Sequence, residues 1–214
     1  MNEATPLTFS DDRGWASWLS RHHARASFVW VVIAKKGSKR TWLGISDALD
    51  VALCFGWVDS HRKGHDDDSF LQRYSPRRAK SPWSKLNVER VEALVKAGRM
   101  RAAGLAQVAA AKADGRWAAA YASQRSASPP PDFIAALAKN ARAGAAFERL
   151  DKTGQYTLLL PVLKAVTAAT RARRLEKALE RLTEPTSAQP VGGLKATRAL
   201  PSAVRPSKGT RKRS

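Results

Sequence analysis

The chain has 214 residues, 43% of them hydrophobic, with seven tryptophans and a formal net charge of +20. That is enough apolar matter for one large core or two small ones, and the charge favours polyanionic partners such as nucleic acid or acidic membrane surfaces. A single cysteine, Cys54, excludes an intrachain disulfide, and no run approaches the roughly 18 apolar residues that a membrane-crossing helix needs. Met1 to Ser10 lacks the basic start and apolar stretch of a secretory signal. The expected location is therefore cytoplasmic, a setting that matches the cysteine usage.

In chain order, Ser10-Asp-Asp-Arg13 offers capping oxygens and early negative charge, and Trp15, Trp18, Leu19 and His22 follow at helical spacing. A first helix is predicted there. Phe28 to Ala34 is a continuous β-branched and aromatic run and reads as a buried strand. Ser46 is the expected cap of a second helix, Asp47 to Phe55, apolar on nearly all sides and stopped by Gly56. Such a helix should cross the middle of a domain.

Trp57 to Lys63 and Ser69 to Ser75 alternate as strands joined by the polar connection Gly64 to Asp68. Strict alternation puts Trp57, Asp59 and His61 on one face. Pro76 and Pro82 then bracket a basic, irregular segment. From Ser84 the period becomes helical, with Val88, Val91, Leu94 and Val95 in one stripe and Gly98 at the end; a second, alanine-rich helix runs from Arg101 to about Ala113. The expectation is an α+β fold, a small antiparallel sheet covered by helices, over residues 8–120.

Ser126 to Pro131 carries three consecutive prolines, so residues 121–131 read as a linker. Asp132 is the expected cap of the next helix. Further helices follow through Phe147 and Leu150, over Tyr156 to Val166, where Pro161 should kink or delay the helix, and over Arg171 to Leu182. Residues 132–184 thus form a helical subdomain. Residues 185–214 hold four prolines, three glycines and no aromatic or acidic residue. Such a tail cannot bury enough surface to offset its ordering entropy and is expected to be disordered.

The motifs together resemble the YdeI/OmpD-associated family, also described as bacteriocin-protection proteins. The resemblance is carried by Trp15 and Trp18, Val29-Trp-Val31 with Lys35-Lys36, and Asp47 through Cys54-Phe-Gly-Trp-Val-Asp59. Arg73-Tyr-Ser-Pro-Arg-Arg78, Trp83-Ser-Lys85 with Asn87, Gly98-Arg-Met100, Gly104-Leu105, Asp114-Gly-Arg-Trp117 and Thr170-Arg-Ala-Arg-Arg174 extend it over roughly residues 9–184. Two features depart from it: Val166 stands where a lysine is expected, and the basic tail is an addition. The resemblance implies a bacterial cytoplasmic protein linked to envelope stress or antimicrobial-peptide tolerance, with no established catalytic residue.

Asp59 and His61, two positions apart on a strand, could perform acid–base work, but no serine or cysteine nucleophile is placed with them. His22 and His23 diverge by about 100° on a helix, and His61, His65 and Asp66-Asp-Asp68 match no structural zinc or calcium-loop spacing, so no metal and no cofactor are expected. The better candidate is an anion- or ligand-binding group: Arg73, Arg77, Arg78 and Lys85 as charges, Trp57, Tyr74 and Trp83 as stacking surfaces, and Asp59 beside them. Its competing reading is an internal network, with Asp59 and the Asp66–Asp68 loop neutralising the arginines. In the tail, Lys195, Arg198, Arg205, Lys208, Arg211, Lys212 and Arg213 suit nonspecific polyanion binding.

Three functions follow in order. The first is a non-enzymatic stress-tolerance protein of the resembled family, acting through an anionic or protein partner. Direct capture of cationic bacteriocins conflicts with a +20 chain, which would repel them. The second is a nucleic-acid-associated module using the tail and the Arg73–Arg78 segment. The third is an enzyme with an Asp59-centred pocket.

Overall fold

The computed structural model describes residues 5–184. Its elements are α1 (Asp12–His22), β1 (Val29–Ala34), α2 (Ile45–Cys54), β2 (Trp57–Gly64), β3 (Ser69–Pro76), α3 (Lys85–Lys96), α4 (Ala102–Ala113), α5 (Pro131–Ala138), α6 (Ala141–Glu148), α7 (Lys152–Leu163) and α8 (Ala168–Thr183). The α+β expectation holds: the three strands form one antiparallel sheet in the order β1-β3-β2, and helices supply the rest. The outer edge of β1 is partly covered, because Leu7 accepts from Val32 N–H and donates to Trp30 O, both at 2.8 Å.

One core gathers Trp15 and Leu19 of α1, Val29, Val31 and Ile33 of β1, Trp57 and Tyr74 of the hairpin, and Ala48 and Val51 to Cys54 of α2. Two of its buried tryptophans have their N–H groups satisfied, while Trp83 Nε1 has no partner among the described residues. Trp15 Nε1 donates to Ala48 O at 3.0 Å and Trp57 Nε1 to His23 O at 3.2 Å, which ties α1 to α2 and to β2. As predicted, α2 runs through the interior: Ala48 and Val51 to Cys54 are all buried. It starts at Ile45, with Gly44 in the cap position and no side-chain cap. Ser46, the expected cap, instead accepts from Arg90 Nη1 at 3.1 Å.

The second core holds Phe133, Ala143, Phe147, Leu159, Val162, Ala178 and Leu182 from α5 to α8. Pro130 caps α5 with Pro131 in its first turn, a position whose missing N–H costs nothing. Asp132 is displaced from the cap and takes a bidentate bond from Arg171 at 2.6 and 2.7 Å. Pro161 lies inside α7, and the helix stops at Leu163, short of the expected Val166. Both cores fall within one compact unit that ends at Thr183. The segment after α4 links them, with Tyr121 exchanging backbone bonds with Trp83 and Lys85 and Tyr156 Oη donating to Ala122 O at 3.2 Å.

Alternation fails once, and it matters for the site. The β2–β3 register shifts between Asp59, opposite Tyr74, and Arg62, opposite Gln72. The extra residue is a bulge. It gives Arg62 the position on Asp59's face that strict alternation assigns to His61, and Arg62 Nε donates to Gln72 Oε1 at 3.2 Å. His61 is exposed.

A close contact between helices occurs at Gly104, where α4 crosses the end of α2. A Cβ there would lie 2.8 Å from Leu53 O and in hard contact with Cys54 O. Since the obstacle is backbone, Gly104→Ala is expected to destabilise the protein by about 1–3 kcal/mol, measured as a lower urea midpoint with unchanged slope. Wild-type stability in this variant would show that the two helices do not approach this closely.

Candidate functional site

Arg77 decides where chemistry can happen. It follows directly on β3, its N–H bonded to Gly56 O at 3.0 Å, and it is only 6% exposed. Its guanidinium lies 3.8 Å over the Trp83 ring and Nη2 donates to Pro82 O at 2.6 Å. Nε and Nη1 are buried with no hydrogen-bond partner among the described residues. Burial pulls this group down to about 10, which still leaves it charged at neutral pH. A buried cation with two idle donors is costly and calls for an anion or acceptor.

Arg77 lines a cavity of about 430 Å³ together with Leu49, Val58, Asp59, Ser81, Pro82, Ser84, Leu86, Asn87, Tyr121 and Lys164. The first turn of α3 opens onto it: Ser84 caps the helix by accepting from Asn87 N–H at 3.2 Å, so the positive end of the helix dipole faces the same space. Lys164, the C-cap of α7, reaches in from the helical region and sits 5.0 Å over the Tyr121 ring. Burial, then Arg174, lowers its pKa, and burial raises that of Tyr121. Neither Asp59 nor Lys164 forms an ion pair among the described residues.

Asp59 is the acidic member. Burial raises its pKa, opposed by its own backbone N–H and by Arg62, Arg77 and Arg90. Those arginines are engaged elsewhere, Arg62 with Gln72 and Arg90 with Asp50 at 2.6 Å. The Asp66–Asp68 loop does not neutralise the Arg73–Arg78 segment either. Asp66 and Asp68 pair with Arg40 at 3.5 and 3.7 Å, because the hairpin tip lies at the far end of the sheet.

The residues expected to act together are therefore divided. Asp59 and Arg77 meet at the cavity. Trp57, Tyr74 and Trp83 are buried and do not line it, although Trp83 is the surface on which Arg77 rests. Arg73 lies 4.2 Å over Phe28, while Arg78 and Lys85 are exposed. The seven basic positions of the tail lie outside the described residues. Sequence reading missed Tyr121 and Lys164, which come from after α4 and from the helical region. Val166 is 46% exposed and does not line the cavity; Lys164, two residues earlier, does.

A larger cavity, about 490 Å³, opens beside Ser17, Ser20, His23, Phe55 and Arg101. Among the described residues no buried unpartnered side-chain atom lines it. His22 and His23 both bond helix carbonyls through Nδ1. The Thr170-Arg-Ala-Arg-Arg174 element is spent on the fold: Arg171 holds Asp132, and Arg174 Nη1 donates to Pro161 O at 2.7 Å.

Residues 126–184 match the family model described as bacteriocin-protection, YdeI or OmpD-associated. Residues 7–107 match a domain of unknown function, DUF8412. The resemblance expected over residues 9–184 is thus met by the YdeI/OmpD-associated model in the helical region, and the Cys54–Asp59 block belongs to the other match. No curated protein and no solved structure matched the chain.

An acid whose folded pKa is raised binds more protons folded than unfolded, so stability falls as pH rises from the unfolded value through the folded one. Asp59→Asn is accordingly expected to raise the melting temperature at pH 7 relative to wild type, with the gap closing near pH 3. A gap that does not change with pH would show that Asp59 carries no desolvation penalty.

Proposed function

We propose that this chain, whose residues 126–184 carry a YdeI/OmpD-associated domain, is a non-enzymatic bacterial stress-tolerance protein. It works in the cytoplasm by holding a small anionic ligand in the Asp59–Arg77–Lys164 cavity. The observation that carries this reading is Arg77, buried on Trp83 with Nε and Nη1 unpartnered. Lys164 and the N-terminal end of α3 add positive potential to the same space. Tolerance to a cationic peptide then arises through the bound anion or a protein that reads it, since the peptide itself would be repelled.

Asp59 favours a second reading, an enzyme. It lines the cavity without an ion-pair partner among the described residues, its proton affinity is raised by burial, and Tyr121 shares the space. A raised carboxyl in a small-molecule cavity is how a general acid or base is prepared. The nucleic-acid reading draws less support from the folded part. Of the Arg73–Arg78 segment, Arg77 is buried and Arg73 lies against Phe28, so no continuous basic face forms there.

Inorganic phosphate and acetate, titrated into the full-length protein and followed by NMR, are expected to shift the resonances of Ser84, Asn87 and Tyr121. Lys164→Met should weaken this binding about tenfold, the loss of one charge-assisted contact, and Arg77→Met should weaken it at least as much. Lys164 is peripheral to both cores, so that variant keeps the test valid if Arg77→Met fails to fold. Undiminished binding in Lys164→Met would overturn the reading.

A further inference from the structure

We infer that the ligand of this cavity is a small amino-acid-type zwitterion, its anionic group held by Arg77 and Lys164 and its ammonium by Asp59. The inference rests on the anion-site reading and adds the ammonium and the body between the two ends.

The argument begins with two opposite charges that share a cavity and do not touch. Asp59 lies within β2 and Arg77 just after β3, at the same end of the hairpin, where Trp57 pairs with Pro76. Both line the space, and a guanidinium and a carboxylate so placed would ordinarily close on one another. Arg77 is held away by its stack on Trp83 and its bond to Pro82 O, and the main chain of Asp59 is set by its place opposite Tyr74 just before the bulge. The other arginines near Asp59 are held by Gln72 and by Asp50 with Ser46. Each charge therefore pays for desolvation without the attraction that would offset it. A ligand with an ammonium at one end and an anion at the other compensates both, where a simple anion would compensate one and be repelled by the other.

The positive side is arranged for a group with several acceptor lone pairs. Arg77, Tyr121 and Lys164 line the cavity together with Asp59, and Lys164 sits 5.0 Å over the Tyr121 ring. Apolar lining is supplied by Leu49, Val58, Pro82 and Leu86. A space of about 430 Å³ lies within the range of small-molecule sites and leaves room for an apolar body. Free apolar amino acids and short apolar peptides share this chemistry.

The test uses full-length protein and three sets of probes by calorimetry: leucine, methionine, phenylalanine and dileucine; their N-acetyl derivatives, which lack the ammonium; and their amides, which lack the carboxylate. At least one zwitterion is expected to bind ten or more times tighter than its N-acetyl and amide counterparts. Asp59→Asn should erase its advantage over the N-acetyl form while leaving N-acetyl binding equal or tighter. Equal affinity of zwitterion and N-acetyl form in the wild type would overturn the zwitterion and leave the anion site standing. Failure of both to bind, with phosphate and acetate also silent, would overturn the two readings together. An amide that binds as well as its parent would overturn the role given to Arg77.

Discussion

A guanidinium taken out of water has to be held by something, and the arrangement of Arg77 organises the region where the two cores of this protein meet. The flat face of the group is covered by Trp83 at 3.8 Å, which replaces part of the lost hydration by cation–π attraction. One edge is taken by Pro82 O. Those contacts fix the loop after β3, which in turn delivers Ser84 to the start of α3 and lets Trp83 and Lys85 exchange backbone bonds with Tyr121. Two nitrogens remain unsatisfied, so the site keeps a charge that structure alone does not neutralise. Natural interiors rarely leave such groups idle without a use.

The helical region is bound into the same logic through its arginines. Arg171 grips Asp132 at the start of α5, and Arg174 grips Pro161 O near the end of α7. Both bonds are made by α8, and the second holds the last turn of α7, whose cap is Lys164. Pro161 has no N–H to offer and its carbonyl takes Arg174, so the last residues of α7 are held by a side chain as well as by the helix ladder. Arg174 also lowers the proton affinity of Lys164. Through Arg174 the Thr170–Arg174 motif thus helps hold the helix end that carries Lys164, which is not part of it.

Much of the architecture was legible because it depends on local pattern. The apolar run of α2, the alternation of β2 and β3 and the helical stripe of α3 each encode an element directly. The cap of α5 was misread because Pro130 and Pro131 start the helix without the polar oxygen that Asp132 offered. The bulge between Asp59 and Arg62 was illegible for a different reason. One inserted residue leaves no mark on a short polar strand, yet it replaces His61 by Arg62 on the face of Asp59 and removes the acid–base pair that strict alternation suggested. The grouping of Arg73, Arg77 and Arg78 failed because neighbours in sequence left β3 in different directions. Lys164 was out of reach because nothing local links it to Asp59; only the docking of α7 near Tyr121 brings it there.

The cavity also draws on both stretches that family models match. Asp59, Arg77 and the start of α3 lie in the part matched by the domain of unknown function, Lys164 in the part matched by the YdeI/OmpD-associated model, and Tyr121 in neither. A protein carrying one stretch alone would hold an incomplete site, with Arg77 lacking its cationic companion or Lys164 lacking the buried arginine. The chemistry proposed for this chain is therefore a property of the pair. It depends on the residues between them as much as on either, because Tyr121 is both the surface under Lys164 and the backbone clamp on Trp83.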